Sequence, residues 1–179
     1  FDDGSWKDFA STLNESLSTY GAHHLMGNIT GNQDRPRFTS LADGTLDRDE
    51  DMKFQGWTRD IQHGDEVGYD RMRLLMATLA SIPGIPCVYY GDEIADVGGN
   101  DPDNRRMMRF DHLNSQEMAT RAWTSTWMNL RRERMSLMYG NTSVTEPIEG
   151  LLRIERTYLD ETTAVYLNRT HDPINLPLD

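Results

Sequence analysis

Two short apolar runs, Leu25 to Ile29 and Ile85 to Tyr90, are each followed at once by a dense polar cluster. A helical pattern lies between them and another lies after the second. This alternation constrains the fold more than any other feature, because strands that alternate with helices build a parallel sheet. It also places polar residues where strands end. In parallel α/β folds those ends are where chemistry is assembled.

The helical patterns are explicit. Ser5 can cap a helix from Trp6 to about Tyr20, with Phe9, Leu13 and Leu17 on one face and Gly21 ending it. His23 to Ile29 reads as a short buried strand, and Thr30 to Phe38 as a charged loop. Ala42 to Gln62 is acidic with poor periodicity and reads as a long loop holding about one helical turn. Asp65 to Ser81 is a strong helix with a core stripe of Leu74, Leu75, Thr78 and Leu79, and with Arg71 and Arg73 facing water. Pro83-Gly84 ends it. Ile85 to Tyr90 is a buried strand, and Asp92 to Phe110 a loop rich in Gly, Asp, Asn and Arg. A long helix is expected over Ser115 to Leu137, with Trp123, Trp127 and Leu130 as a core stripe. After Gly140 the pattern turns to β, with Leu151–Arg156 and Thr163–Asn168 as antiparallel strands around an Asp160-Glu161 turn. Met26, Met72 and Met76 read as core filler.

Composition narrows the classes of partner. The chain has 179 residues, 37% of them hydrophobic and 26% charged, which is a globular balance. No apolar run approaches the roughly 20 residues needed to span a bilayer. The net charge of −11 argues against nucleic acid and against an anionic membrane surface. A neutral ligand is compatible with it. One cysteine, Cys87, excludes an internal disulfide and a cysteine-based zinc site, and its place in an apolar run marks it as a structural thiol. The adjacent His23 and His24 read as structural, and His63 stands isolated in a polar loop. Phe1-Asp2-Asp3-Gly4 lacks an initiator Met, a basic region and an apolar stretch, so it does not read as a signal peptide. Two strands cannot close a barrel. The chain therefore reads as part of a larger protein, and its uncovered sheet edges lead one to expect association with further copies.

Three polar clusters carry the chemistry. The first is Asn32-Gln33-Asp34 with Arg37. An acid beside an arginine stays ionised, and an ionised carboxylate can stabilise an oxocarbenium-like transition state or hold sugar hydroxyls. An Asp–Arg pair that caps the next element is the alternative. The second is Tyr89-Tyr90-Gly91-Asp92-Glu93, whose tyrosines can stack on a sugar or fill core, and whose acids read best as loop anchors. The third, Asn100-Asp101-Pro102-Asp103-Asn104-Arg105-Arg106, is dense in short polar residues and reads as a tight turn. Its two arginines argue against calcium and leave sugar binding or a salt-bridged loop.

In this order the clusters resemble the C-terminal part of the α-amylase superfamily of glycoside hydrolases (family 13). Gly31-Asn32-Gln33-Asp34-Arg35-Pro36-Arg37 is similar to that family's Asn-His-Asp-x-x-Arg block after barrel strand seven. Pro83 through Glu93 is similar to its Gly-x-Pro-x-x-Tyr-Tyr-Gly-x-Glu strand eight. Asn100 through Arg106 resembles the Asp-Pro-Asp-Asn-Arg loop of the neopullulanase, cyclomaltodextrinase and cyclodextrin glucanotransferase branches. The resemblance covers about residues 20 to 140. It implies an α/β fold: residues 1–139 as strands seven and eight of a (β/α)8 TIM barrel with their helices, and residues 140–179 as the first strands of an all-β domain C.

The resemblance also implies roles. Asp34 matches the carboxylate that stabilises the transition state without attacking or donating a proton. Asp101 and Arg105 match residues that hold sugar on the donor side, with Asn32 and Gln33 in the same substrate-binding set. Arg37 falls in that set by position, although it and Glu93 suit a loop-supporting part better. Gln33 departs from the motif, because it stands where the family has a histidine; an amide keeps a donor and an acceptor but loses the ionisable ring. The implied substrate is a starch, maltodextrin or cyclodextrin α-glucan with α-1,4 bonds, and α-1,6 bonds as a further option. The family's nucleophile and acid/base lie after strands four and five, so the chain alone is expected to be inactive. A non-catalytic carbohydrate-binding relative and a transglycosylase are the alternative readings. No cofactor is implied here, and a structural calcium would lie elsewhere in a parent protein.

Overall fold

Helix α1 (Trp6–Tyr20) begins where its cap predicts: the Ser5 hydroxyl accepts a hydrogen bond from the Asp8 amide at 3.0 Å. The computed structural model describes residues 4–176. Their backbone contacts divide into two compact units. One comprises Gly27–Ala80 and Ile85–Leu130, and the other comprises residues 4–26, Ser81–Gly84 and residues 131–176.

The first unit is built on a parallel pair. Strand β1 (Gly27–Ile29) lies beside β2 (Ile85–Cys87) in the register Gly27 to Ile85 and Ile29 to Cys87. A parallel pair needs a long crossover, supplied here by α2 (Phe38–Ala42), α3 (Met52–Thr58) and α4 (Val67–Ser81). Both strands are shorter than expected and are not buried. Leu25, Met26, Ile29 and Ile85 are exposed, so Met26 is not core filler. A two-stranded pair offers more face than one layer of helices covers. Cys87 is half-buried and its thiol donates to the Ile85 carbonyl.

Helix α4 buries a different stripe from the one expected. Tyr69, Met72 and Met76 form its centre, packed with Ala95 and flanked by Phe38, Leu75 and Val88. Thr78 and Leu79 are buried as expected, whereas Leu74 and Leu75 lie at the edge. Arg71 and Arg73 do not simply face water. Arg71 donates to the Ala42 carbonyl at 2.6 Å, and Arg73 donates to Thr120 Oγ1 and to Gln116. Long basic side chains lie along apolar surface and carry their heads to distant acceptors.

The acidic stretch before α4 is more ordered than its periodicity suggests. Asp51 caps α3 by accepting from the Lys53 and Phe54 amides, both at 3.1 Å. Leu46, Ile61 and Val97 form a small core with Leu41 and Met52. Buried Asp43 fastens the stretch by accepting from the Thr45 and Gly64 amides, both at 2.9 Å.

The helix expected over Ser115 to Leu137 is broken. Helix α5 (Ser115–Glu133) ends at extended Arg134, and α6 (Met135–Tyr139) follows. Trp123 is 42% exposed rather than core; its indole donates to the Arg73 carbonyl at 2.9 Å, and its ring lies 6.0 Å from that of Trp127.

In the second unit, β3 (Asn141–Ile148), β4 (Leu151–Tyr158) and β5 (Glu161–Asn168) form an antiparallel sheet in that order. The sequence reading missed β3, a polar edge strand carrying Pro147, a residue that only edges tolerate. The turn between β4 and β5 is Leu159-Asp160, one residue earlier than expected. Central β4 buries Leu151, Leu152 and Ile154, and also Arg156. The Arg156 guanidinium donates to the Gly140 carbonyl at 3.0 Å and to the Ser81 carbonyl at 2.9 Å. Burial and the Arg131 charge pull its pKa down to about 10, so it remains charged at neutral pH.

Gly140 is required by close approach. A Cβ there would lie 2.4 Å from the Ser136 carbonyl oxygen and 2.9 Å from the Thr157 amide nitrogen. Both are backbone atoms that cannot swing aside. Gly140→Ala is therefore expected to destabilise the sheet unit by about 1–3 kcal/mol, read as a lower urea midpoint in the far-ultraviolet circular dichroism; an unchanged midpoint would contradict this packing.

Candidate active site

Because β1 and β2 run parallel, the loops after them leave the pair at the same end. Thr30 ties them together at once. Its hydroxyl accepts from the Tyr89 amide at 3.0 Å and donates to Asp92 Oδ2 at 2.6 Å. Asp92 Oδ1 meets Arg37 Nη1 at 3.0 Å, and both side chains are almost wholly buried. Arg37 also donates from Nε to the Asn104 carbonyl at 3.0 Å and from Nη1 to the Tyr90 carbonyl. Its guanidinium carbon lies 4.3 Å from the Tyr89 ring centre and 4.9 Å from that of Tyr90. Burial pushes the Asp92 carboxyl above its ordinary range, while the Thr30 hydroxyl and Arg37 pull it back down.

These contacts suit the loop-supporting part of Arg37. Arg37 is 2% exposed, so it joins the loop after β1 to both parts of the loop after β2 from beneath. Asp34, three residues before it in sequence, pairs elsewhere. Glu93 accepts from the Gly91 amide at 2.7 Å, a loop-anchoring bond. The two tyrosines hold Arg37, and the Tyr90 hydroxyl donates to the Arg106 carbonyl at 2.9 Å.

Above this base lies an exposed cluster. Asn32 Oδ1 accepts from the Asp34 amide at 2.8 Å, which turns the Asp34 side chain outward. Gln33 Nε2 donates to Asp34 Oδ2 at 3.1 Å. Arg105 Nη2 lies 3.6 Å from Asp34 Oδ1 and 2.8 Å from Asp101 Oδ1, and its Nε donates to the Gln33 carbonyl at 3.1 Å. Asn104 holds the other side of the first loop, donating to the carbonyls of Asn32 and Arg35. Thus Asn32, Gln33, Asp34, Asp101 and Arg105 come together from two loops. The cluster presents carboxylate acceptors, guanidinium donors and an amide, a donor–acceptor set suited to hydroxyl groups.

Helix α3 is seated against the second loop. The Asn100 amide donates to the Met52 carbonyl at 3.1 Å, and Lys53 Nζ lies 3.4 Å from Asp101 Oδ2. The contact works only because glycines meet there. A Cβ on Gly56 would lie 2.8 Å from Asp103 Cβ, and one on Gly99 would lie 3.0 Å from Gly56 Cα.

A second group of polar residues went unread in the sequence. Asn114 and Glu117 form a reciprocal capping box at the start of α5: Asn114 Oδ1 accepts from the Glu117 amide at 2.9 Å, and Glu117 Oε2 accepts from the Asn114 amide at 2.7 Å. That Asn-x-x-Glu spacing was the signal that could have found it. Glu117 also pairs with Arg109 and lies 3.7 Å from His63 Nε2. His63 stacks on Tyr69 with ring centres 4.6 Å apart, beside a cleft of about 420 Å³ that Asp96, Arg106 and His112 also line. Burial would raise the Glu117 carboxyl, but the Arg109 hydrogen bond and charge and the Asn114 amide hold it below its ordinary value.

No protein-family model matches the chain. Individual proteins do. A cyclomaltodextrinase from Thermoanaerobacter pseudethanolicus is 27% identical over 164 residues, covering 90% of this chain and 24% of that protein. The α-amylase from Geobacillus thermoleovorans, solved in complex with acarbose, superimposes with a TM-score of 0.68 at 30% identity over 92% of this chain and 32% of that one. The cyclic α-maltosyl-(1→6)-maltose hydrolase from Arthrobacter globiformis, in complex with cyclic α-maltosyl-(1→6)-maltose, gives a TM-score of 0.71 at 25% identity over 94% and 33% of the two chains. The chain thus spans between 24% and 33% of the length of these relatives.

These relatives agree with the three ordered motifs: the chain is similar to the C-terminal part of the α-amylase superfamily of glycoside hydrolases, family 13. Within it, the curated proteins it resembles include cyclomaltodextrinases, a maltogenic α-amylase and cyclomaltodextrin glucanotransferases.

Two predictions follow from the site's electrostatics. Removing the Asp92 charge leaves the Arg37 cation buried and unbalanced, so Asp92→Asn is expected to cost about 3 kcal/mol or more in urea denaturation. A cost below about 1 kcal/mol would mean that the pair does not hold the loops together. The second concerns His63. Burial pushes its imidazole below the ordinary value of 6.5, against the upward pull of Glu117, Asp43 and Asp96 and with Arg109 adding to the decrease. The unfolded imidazole therefore takes up a proton first, so stability is full above that range and falls as pH drops through it. His63→Gln is expected to flatten the loss of stability between about pH 8 and pH 5; an identical slope in the variant would refute the assignment.

Proposed function

We propose that this chain forms the seventh and eighth strand–helix units of a (β/α)8 barrel over residues 1–139 and the opening strands of domain C over residues 140–179, within a retaining hydrolase of α-1,4-linked glucans. The observation that carries the reading is the convergence of Asp34, Asp101 and Arg105 on one exposed face at the ends of parallel strands. Relatives that hydrolyse cyclomaltodextrin, and one solved with acarbose bound, support the substrate class.

In this reading Asp34 faces the sugar at the cleavage point and stabilises the positive charge that develops on its ring as the glycosidic bond breaks. It neither attacks nor donates a proton. Asp101 accepts hydroxyl hydrogens from the neighbouring donor-side sugar, and Arg105 orients both carboxylates while donating to sugar oxygens. Gln33 occupies the place of the family's histidine and offers its amide to the same hydroxyls. Asn32 shapes the turn. Arg37, with Asp92 and Thr30, keeps the loops in place. Retaining hydrolysis needs two carboxyl groups about 5 Å apart on either side of the bond. Those residues are expected in the part of a parent protein that this chain does not span.

A second reading, a carbohydrate-binding relative without catalysis, draws on Gln33 itself. Its amide donates to Asp34 Oδ2 and so occupies an oxygen that a sugar would otherwise use. The two readings separate in a protein carrying the whole barrel. There Asp34→Asn is expected to lower kcat on maltooligosaccharides by about 10²–10³-fold with little change in KM. Loss of affinity without loss of turnover would favour the binding reading. The 179-residue chain by itself is expected to release no reducing sugar from maltoheptaose; measurable turnover would sink the proposed division of labour.

A further inference from the structure

Helix α3 exposes two large aromatic side chains, Phe54 at 59% and Trp57 at 69%. At about 100° per residue, Lys53, Trp57 and Phe54 share one face of the helix. Gly56 lies on the far side from Phe54 and is pressed against Asp103. The seating of α3 on the second loop therefore fixes the direction of that face, which runs directly from the candidate site: Lys53 Nζ lies 3.4 Å from Asp101 Oδ2. We infer that the Phe54–Trp57 face is a stacking platform for a further glucose unit of an α-glucan whose neighbouring units occupy the Asp34–Asp101–Arg105 cluster. The inference rests on the carbohydrate reading of that cluster and extends it to chain length.

The chemistry of the two surfaces differs in the way a sugar chain requires. The cluster offers charges and amides for hydroxyl groups. The α3 face offers two exposed rings for the C–H faces of a pyranose. A repeating polymer is the occupant continuous with the cluster. A second copy of this chain is disfavoured by the net charge of −11, which makes the copies repel. A neutral glucan meets no such barrier.

The test is isothermal titration of the chain with maltose and with maltoheptaose. Wild type is expected to bind maltoheptaose more tightly than maltose. Trp57→Ala should weaken maltoheptaose by about tenfold and leave maltose unchanged. Trp57→Phe should keep most of the affinity, because a ring remains. Phe54→Ala, at a second exposed position, should act in the same direction as Trp57→Ala. Asp101→Asn should weaken both sugars. If Asp101→Asn weakens both while Trp57→Ala and Phe54→Ala change neither, the platform is wrong and the cluster reading stands. If the chain binds neither sugar, the cluster reading fails and the platform falls with it. If Trp57→Ala instead converts a dimer to a monomer in sedimentation with glucan affinity unchanged, the face is a self-association surface and the platform is overturned.

Discussion

The buried Arg37–Asp92 pair is the interaction on which the candidate site depends. One guanidinium reaches the carboxylate, two backbone carbonyls and two aromatic rings, and so links the loop after β1 to both parts of the loop after β2. A buried ion pair is weak support for stability in itself, because desolvation offsets much of the attraction. Its value here is geometric. Each partner can be satisfied only when both loops are in place, so loops that would otherwise move independently share one arrangement.

That arrangement lets exposed residues act as a group. Asp34 and Asp101 come from loops far apart in sequence, yet Arg105 lies close to both. Surface ion pairs of this kind contribute little to stability, so the cluster does not hold itself together. It is positioned by Thr30, Arg37 and Asn104 beneath it. Charges that are positioned without being buried remain free to exchange their partners for a ligand.

Much of this was legible in the residues. The alternation of apolar runs and helices gave the parallel pair, Ser5 gave the start of α1, and three polar motifs in order gave the family. What was missed has a common physical cause. Local pattern reports which face of an element is apolar, not which distant group a polar side chain will meet. Arg37 and Asp34 are near neighbours in sequence, and only the fold sends one inward to Asp92 and the other outward to Arg105. Likewise Arg71 and Arg73 looked solvent-facing because their acceptors lie on other elements. Strand β3 escaped because a polar edge strand lacks the alternation of a half-buried one. The short strands β1 and β2 are exposed where their apolar runs suggest burial, since an apolar run says nothing of how many neighbours will cover it.

The glycine seam between α3 and the Asn100–Arg106 loop divides labour within one short helix. Gly56 and Gly99 lie against each other and against Asp103 on one side, where no larger side chain fits, while the Phe54 and Trp57 side chains are exposed. Attachment is thus independent of what the outward face carries. Positions 54 and 57 lie outside that seam, so they can be exchanged without displacing Asp101, and the reach of this surface along a ligand can change while the residues beside it stay where they are.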